Sequence, residues 1–341
     1  MAHVEAADGT LPEFANLVDL VSERVGGLPI FASDEFFAEK ENLVKPGRGV
    51  FIVDKFTDRG KWMDGWESRR KRDTGYDWCI IRMGLPGTIK GFDIDTNFFL
   101  GNHPPFASID ALWSAQRLGP RDDFSALKWQ EILPKSALKP GSRNFFKVST
   151  GDTWNYLRLN IYPDGGVARF KVFGETKPDL SHLTNNDVID LAAIENGGVV
   201  LGCNDAFFGP KDNLIMPGRG INMGDGWETR RKRQLPGHDW VILKMGVAGT
   251  PRRILVDTNH FKGNYPDRCS IEGIHAPNAT LEALAKSQDW QPILPETKLQ
   301  AHMIHEFAGE LKAIGKITHA RLRIFPDGGV SRLRIFGNPA V

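Results

Sequence analysis

The sequence predicts an all-β protein built as two tandem jelly-roll β-sandwich domains, and three observations lead there. The first is an internal repeat. PGRG at 46–49 returns at 217–220, DGWESRRKR at 64–72 returns as DGWETRRKR at 225–233, and PDGGV at 163–167 returns at 326–330. Between them DW (77–78, 239–240), DTN (95–97, 257–259), GN (101–102, 263–264) and ILP (132–134, 293–295) recur in the same order. The second is period-two alternation, clearest in ARLRIFPDGGVSRLRIF at 320–336, where Leu322 and Ile324 face one way and Arg321 and Arg323 the other. The third is punctuation: 36 glycines and 21 prolines divide the chain into short strand-like runs, and long stretches of helical period are scarce.

Taken in order along the chain, residues 1–26 are expected to be an N-terminal helical extension, because FANLVDLVSERV at 14–25 has an amphipathic pattern. Residues 27–175 form the first repeat, with strands at 77–84 and 90–99 and a hairpin in YLRLNIYPDGGVARFKVFG at 156–174. Residues 176–196 read as a linker ending in a short helix, with Asn185 or Asn186 as cap and Gly197 as stop. The second repeat, 197–341, has strands at 239–246 and 252–261, a short helix in LEALAKSQ at 281–288, and the hairpin at 320–336. The offset between copies is 171 at PGRG and 161 at DGWE, so the first copy carries ten extra residues near Val50–Met63. Each copy has the size of a whole domain rather than of a solenoid unit.

Composition narrows the function classes. At 41% apolar and 25% charged residues the chain reads as an ordinary globular protein of 341 residues. A net charge of +1 provides no field to draw nucleic acid or an anionic membrane. No run approaches the roughly 20 apolar residues of a membrane span, and MAHVEAADGTLPEF lacks the pattern of a signal peptide. Cys79, Cys203 and Cys269 are odd in number and unpaired in spacing, which suits reduced thiols and a cytoplasmic location.

The chemistry-bearing residues sit in the repeated loops. In DGWE-x-RRKR, Glu67 and Glu228 are acid–base candidates, while Arg69, Arg70, Arg230 and Arg231 suit a carboxylate ligand through guanidinium pairing. Trp66 and Trp227 are costly in a polar loop unless they pack or line a pocket, and they are taken as substrate-contacting. A nucleic-acid role for RRKR is disfavoured, since Asp64, Glu67 and Asp73 interleave with it. DTN offers Asp95 and Asp257 for proton transfer with Asn97 and Asn259 beside them, or alternatively a local turn. Asn102 and Asn264 add amide donors. The histidines differ between copies: His260 stands against Phe98, His103 against Tyr265, His238 against Tyr76 and His305 against Asn144. His260 is therefore an acid–base candidate of the second copy. The spacing of His302 and His305 lacks a completing carboxylate, so no metal and no cofactor are expected.

The duplicated order PGRG, DGWE(S/T)RRKR, DW, DTN, GN, PDGG closely resembles the allantoicase (allantoate amidinohydrolase) family over nearly the whole chain. The resemblance implies two jelly rolls similar to galactose-binding modules, assembly into a homo-oligomer, and hydrolysis of allantoate to ureidoglycolate and urea in purine degradation. It carries no catalytic assignment, so the roles above rest on chemistry. The rival expectations are a tandem jelly-roll binding module without catalysis, and a hydrolase of a related ureido compound.

Overall fold

The computed structural model describes residues 11–148 and 151–341. They fall into two compact units, one ending at Pro178 and the other running from Asp179 to Val341. In the first unit the strands are β1 (Val18–Asp19), β2 (Leu28–Ala32), β3 (Phe56–Thr57), β4 (Gly60–Lys61), β5 (Trp66–Glu67), β6 (Asp77–Asp95), β7 (Phe106–Leu112), β8 (Gln130–Ala137), β9 (Arg143–Lys147), β10 (Trp154–Tyr162), β11 (Gly166–Val167) and β12 (Arg169–Thr176). The second unit repeats this plan with β13 (Ile189–Asp190), β14 (Val199–Cys203), β15 (Trp227–Glu228), β16 (Asp239–Asp257), β17 (Arg268–Ile274), β18 (Gln291–Lys298), β19 (Ile304–Phe307), β20 (Ile317–Phe325), β21 (Gly329–Val330) and β22 (Arg332–Pro339). It also contains the helix α1 (Leu281–Lys286) within the run expected to be helical at 281–288, and the Thr280 hydroxyl caps it.

Each jelly roll is organised by one 19-residue strand. The first half of β6 pairs with β2 and β10, β10 pairs with β7, and β7 pairs with β8. Its second half pairs with β9 and β12, and β12 carries β1 at the edge. Between the halves the register jumps from Tyr156↔Arg82 to Trp154↔Gly87, so MGLPG turns the strand from one layer into the other. The corner needs glycine: a Cβ on Gly84 would lie 2.4 Å from the Val25 carbonyl oxygen, and one on Gly87 2.3 Å from that of Glu175. Cys79, Ile81, Ile109, Leu157, Leu159 and Ile161 of one layer, with Ile94, Phe92, Phe170 and Val172 of the other, are buried. Their burial supplies the driving force for closing the sandwich.

Two expectations are corrected. The run at 14–25 is not an amphipathic helix. It forms a 3₁₀ turn at Glu13–Asn16, the strand β1 and a second 3₁₀ turn at Glu23–Val25. Ser22 caps that last turn and Gly26, at φ 91°, ends it, while the Asp19 carboxylate takes the Val21 and Val172 amides and ties β1 to the sheet. The second unit repeats the device, with Asp190 bonding Ala192 and Ile335 and Gly197 at φ 90°. VDLVSERVG at 18–26 and IDLAAIENG at 189–197 are thus one duplicated element. Residues 1–10 of the expected extension lie outside the described residues. Likewise the expected linker helix is a single 3₁₀ turn at Ile194–Asn196, following Ala193 and stopped by Gly197. Asn185 accepts the Val341 amide and caps no helix. The ten-residue excess of the first copy does form an extra element, the β3–β4 hairpin.

Candidate active site at the loop end of each sandwich

The registers place every sequence-selected residue at one end of its own sandwich. Asp77 opens β6 opposite Ile161, and Asp95 closes it opposite Arg169; the PDGG turn joins those two partners. The turn acts as a spine. Asp164 accepts the Lys71 amide (2.8 Å), the Gly165 carbonyl accepts that of Ser68 (3.2 Å), and Gly166 donates to the Asn102 carbonyl (2.8 Å). Beyond it, Gly166 pairs with Glu67, Val167 with Trp66, and Ala168 donates to Asp95 (2.8 Å). In the second unit Asp327, Gly328, Gly329, Val330 and Ser331 hold Lys232, Thr229, Glu228 and Asn264, Trp227 and Asp257 in the same way.

The DGWE motif resolves into four jobs. Asp64 holds the buried Arg169 guanidinium (2.7 Å) and the Val50 amide (2.9 Å); Asp225 holds Arg332 (2.8 Å) and Ile221 (3.1 Å). Gly65 and Gly226 pass so close to Phe99 and Phe261 that a Cβ would approach the ring to 2.7 Å. Trp66 and Trp227 are fully buried, and their indole N–H groups donate to the Asp34 and Asp205 carbonyls at 2.8 Å. This corrects their expected contact with substrate: each indole is core, because its one polar atom is satisfied by backbone. Glu67 and Glu228, next along the strand, point the other way and are half-buried. The Asn102 amide donates to Glu67 at 2.7 Å and the Asn264 amide donates to Glu228. Burial pushes the Glu67 carboxyl above the usual glutamate range, and the Asn102 hydrogen bond only partly opposes it.

The arginines divide. Arg69 pairs with Asp34 (2.7 Å) and lies 5.2 Å from the Phe36 ring centre; Arg230 is 3.9 Å from Asp205 and 4.0 Å from the Phe207 ring centre. Arg70 and Arg231 are exposed and have no protein partner among the described residues. Arg69, Arg70, Lys71, Arg72, Asp73, Asp77, Asp34, Phe36 and Phe37 line a cavity of about 560 Å³, with Lys71 bound to the buried Asp77 (2.8 Å). Glu67 is not part of that lining.

The DTN residues are placed differently from expectation. Asp95 and Asp257 are buried ion-pair partners of Arg48 (2.8 Å) and Arg219 (3.1 Å) from the PGRG loops, and each also accepts the amide two residues on. Both carboxylates, expected to transfer protons, are thus engaged in ion pairs and turn hydrogen bonds. Asn97 and Asn259 are buried, and donate to the Gly49 and Gly220 carbonyls at 2.9 and 3.0 Å instead of facing a ligand. His260, at φ 71°, has its Nε2 2.9 Å from the Gly220 carbonyl, and its amide donates to His302 Nδ1 (2.8 Å). His305 takes the Gln300 amide and meets the Val256 carbonyl, the backbone duty that Asn144 performs at Lys139 and Ile94 in the first unit.

Sequence reading passed over Arg48 and Arg219, and the D-x-F-F segments Asp34–Phe37 and Asp205–Phe208. Both were within reach, because D-x-F-F repeats with the same offset of 171 as PGRG. Among the described residues no three His, Cys, Asp or Glu side chains converge as a metal site, and no helix is long and apolar enough to cross a membrane.

The allantoicase repeat, as a family model, matches residues 18–177 and 189–340. The chain belongs to the allantoicase family. It is 47% identical over 333 residues to probable allantoicase 1 of Burkholderia mallei, covering 97% of each chain. It is 48% identical over 327 residues to a probable allantoicase of Pseudomonas aeruginosa, covering 96% of this chain and 97% of that one. The crystal structure of allantoicase from Saccharomyces cerevisiae superposes with a TM-score of 0.80 at 37% identity, over 95% of this chain and 96% of the yeast chain. The two-jelly-roll architecture is therefore the allantoicase fold.

Proposed function

We propose that the protein is a hydrolase that converts allantoate to ureidoglycolate and urea in allantoin degradation, and that the reaction takes place at the loop end of its jelly rolls. The observation that carries this reading is the pair of allantoicase repeats that fills nearly the whole chain. Allantoate has a central carbon bearing a carboxylate and two ureido groups. Its hydrolysis forms a bond from water oxygen to that carbon, breaks one C–N bond, and moves a proton from water's side of the reaction to the departing nitrogen. The Glu67–Asn102 and Glu228–Asn264 pairs are the groups suited to that transfer. Burial raises the Glu67 carboxyl and so shifts it toward its proton-donating form. The neighbouring amides suit the ureido N–H and C=O groups, and the unpaired Arg70 and Arg231 draw the substrate anion to this end.

The reading includes a cytoplasmic location, supported by three unbridged cysteines. It includes a homo-oligomer, supported by the exposed Phe207, Phe208 and Ile221. Purified protein given allantoate is expected to release urea equally with and without a chelator. The double variant Glu67→Gln/Glu228→Gln is expected to lose about 10²–10⁴-fold in kcat. Absence of urea from the wild type under both conditions would reject the activity, and wild-type turnover in the double variant would make both carboxylates structural. Parallel assays with ureidoglycolate separate allantoate from related ureido substrates.

A further inference from the structure

The two repeats build the same arginine–aspartate pair from PGRG and DTN, yet they leave it in opposite states. In the first unit Arg48 grips Asp95 through two short bonds (2.8 and 3.0 Å), and its side chain is 15% exposed. In the second unit Arg219 reaches Asp257 through longer ones (3.1 and 3.4 Å), and its side chain is 57% exposed. Among the described residues Arg219 has no hydrogen-bonding partner besides Asp257. A guanidinium has five N–H donors, so the outward edge retains a fork that matches a carboxylate.

What surrounds the pair differs as well. After PGRG the first copy spends fourteen residues, Val50–Met63, where the second spends four, Ile221–Gly224. The longer loop stacks Phe51 on Phe98 at 5.5 Å and sets the Lys61 ammonium 4.6 Å from the Phe51 ring centre. Phe98 (φ 66°) occupies the position that His260 (φ 71°) holds in the second copy. A carbonyl oxygen can only accept, so the contact between His260 Nε2 and the Gly220 carbonyl puts the ring proton on Nε2. Nδ1 is left as the basic nitrogen, on a ring anchored one residue from Arg219.

We propose that the substrate carboxylate is anchored by Arg219 in the second repeat, with His260 Nδ1 accepting the proton of the attacking water, and that the first repeat's equivalent is closed by its own inserted loop. The inference rests on the allantoate reading and assigns it to one repeat. Gly329 pairs with Glu228, and two residues on, about 7 Å if extended, the Ser331 amide donates to the Asp257 carbonyl, so one backbone segment carries both groups. On this assignment the anion held by Arg219 and the Glu228 carboxyl bracket one substrate. Water's oxygen bonds to the central carbon as its proton passes to His260, and the C–N electron pair leaves with a proton from Glu228.

Steady-state urea release on four full-length variants tests this. Arg219→Ala is expected to raise KM for allantoate at least about 30-fold with kcat within threefold, and millimolar guanidinium is expected to recover part of the loss. Arg219→Lys, which keeps a cation over Asp257, is expected to fall between. His260→Phe, which installs the first repeat's residue, is expected to lower kcat about 100-fold at near-constant KM. Phe98→Leu is expected to leave both constants unchanged. The proposal is overturned if Arg219→Ala and Arg219→Lys keep KM within twofold, or if Phe98→Leu loses as much as His260→Phe. Failure of the wild type to release urea would instead sink the allantoate reading on which the assignment rests.

Discussion

Trp227 shows how a loop residue belongs to the core. Its ring is fully buried and its N–H is bound to the Asp205 carbonyl, so Trp227→Phe leaves that carbonyl unsatisfied beside a small void. The expected outcome is a loss of about 1–3 kcal/mol in denaturant melts with KM for allantoate unchanged. A group of opposite sign is Asp93. It is buried against Arg143 (2.7 Å) with its other oxygen unbonded, and desolvation pushes its carboxyl up to about 6. A carboxylate raised in the fold costs stability once ionised. That cost is absent below pH 4, grows as pH rises, and is complete above pH 6. Asp93→Asn is therefore expected to gain on the wild type by roughly 2–3 kcal/mol between pH 4 and pH 7, read from melts at both values. At this scale the sequence disclosed which residues are repeated but not which way they face. Glu67 and Trp66 are adjacent, equally repeated and opposite in burial, and only the pairing of β5 with β11 separates them.

Among the elements, the PDGGV turn is the one on which the others hang. Gly328 adopts φ 136°, and a Cβ there would stand 2.7 Å from the Asn264 carbonyl oxygen. Gly328→Ala combines backbone strain with a clash. It is expected to cost about 2 kcal/mol or more and to lower kcat as the Asn264 loop shifts, measured by melts and urea release together. The hairpins around this turn were legible because alternation and turn chemistry agree. The segment at 14–25 was not, because Leu20, Val21 and Val25 mimic a helical stripe while Ser22 and Gly26 chop it into single turns. Comparing IDLAAIENG with VDLVSERVG supplies the missing signal: a helix would not need Gly at both copies' ends after so few residues.

The whole molecule is two units with separate sheets, and each unit carries one deeply buried thiol. Burial drives Cys269 up to about 12 and Cys79 well above the ordinary thiol range, while Cys203 is raised from a half-buried position. A neutral-pH thiol reagent is expected to label Cys203 alone in the native protein and all three after unfolding. In Gly328→Ala, labelling of Cys269 is expected to quicken while that of Cys79 holds its rate. The duplication was legible at this scale because long motifs kept their order. The inequality of the two ends was not, since it lies in the length of one loop rather than in any motif.

That loop has a use as a tool. A chain that carries fourteen residues at Val50–Met63 and four at Ile221–Gly224 on the same scaffold marks the second position as an insertion port, where lengthening costs on the order of 1 kcal/mol in closure entropy. Transplanting the β3–β4 hairpin there would fit the second repeat with a removable lid, and a protease site in the graft would make opening it an irreversible trigger.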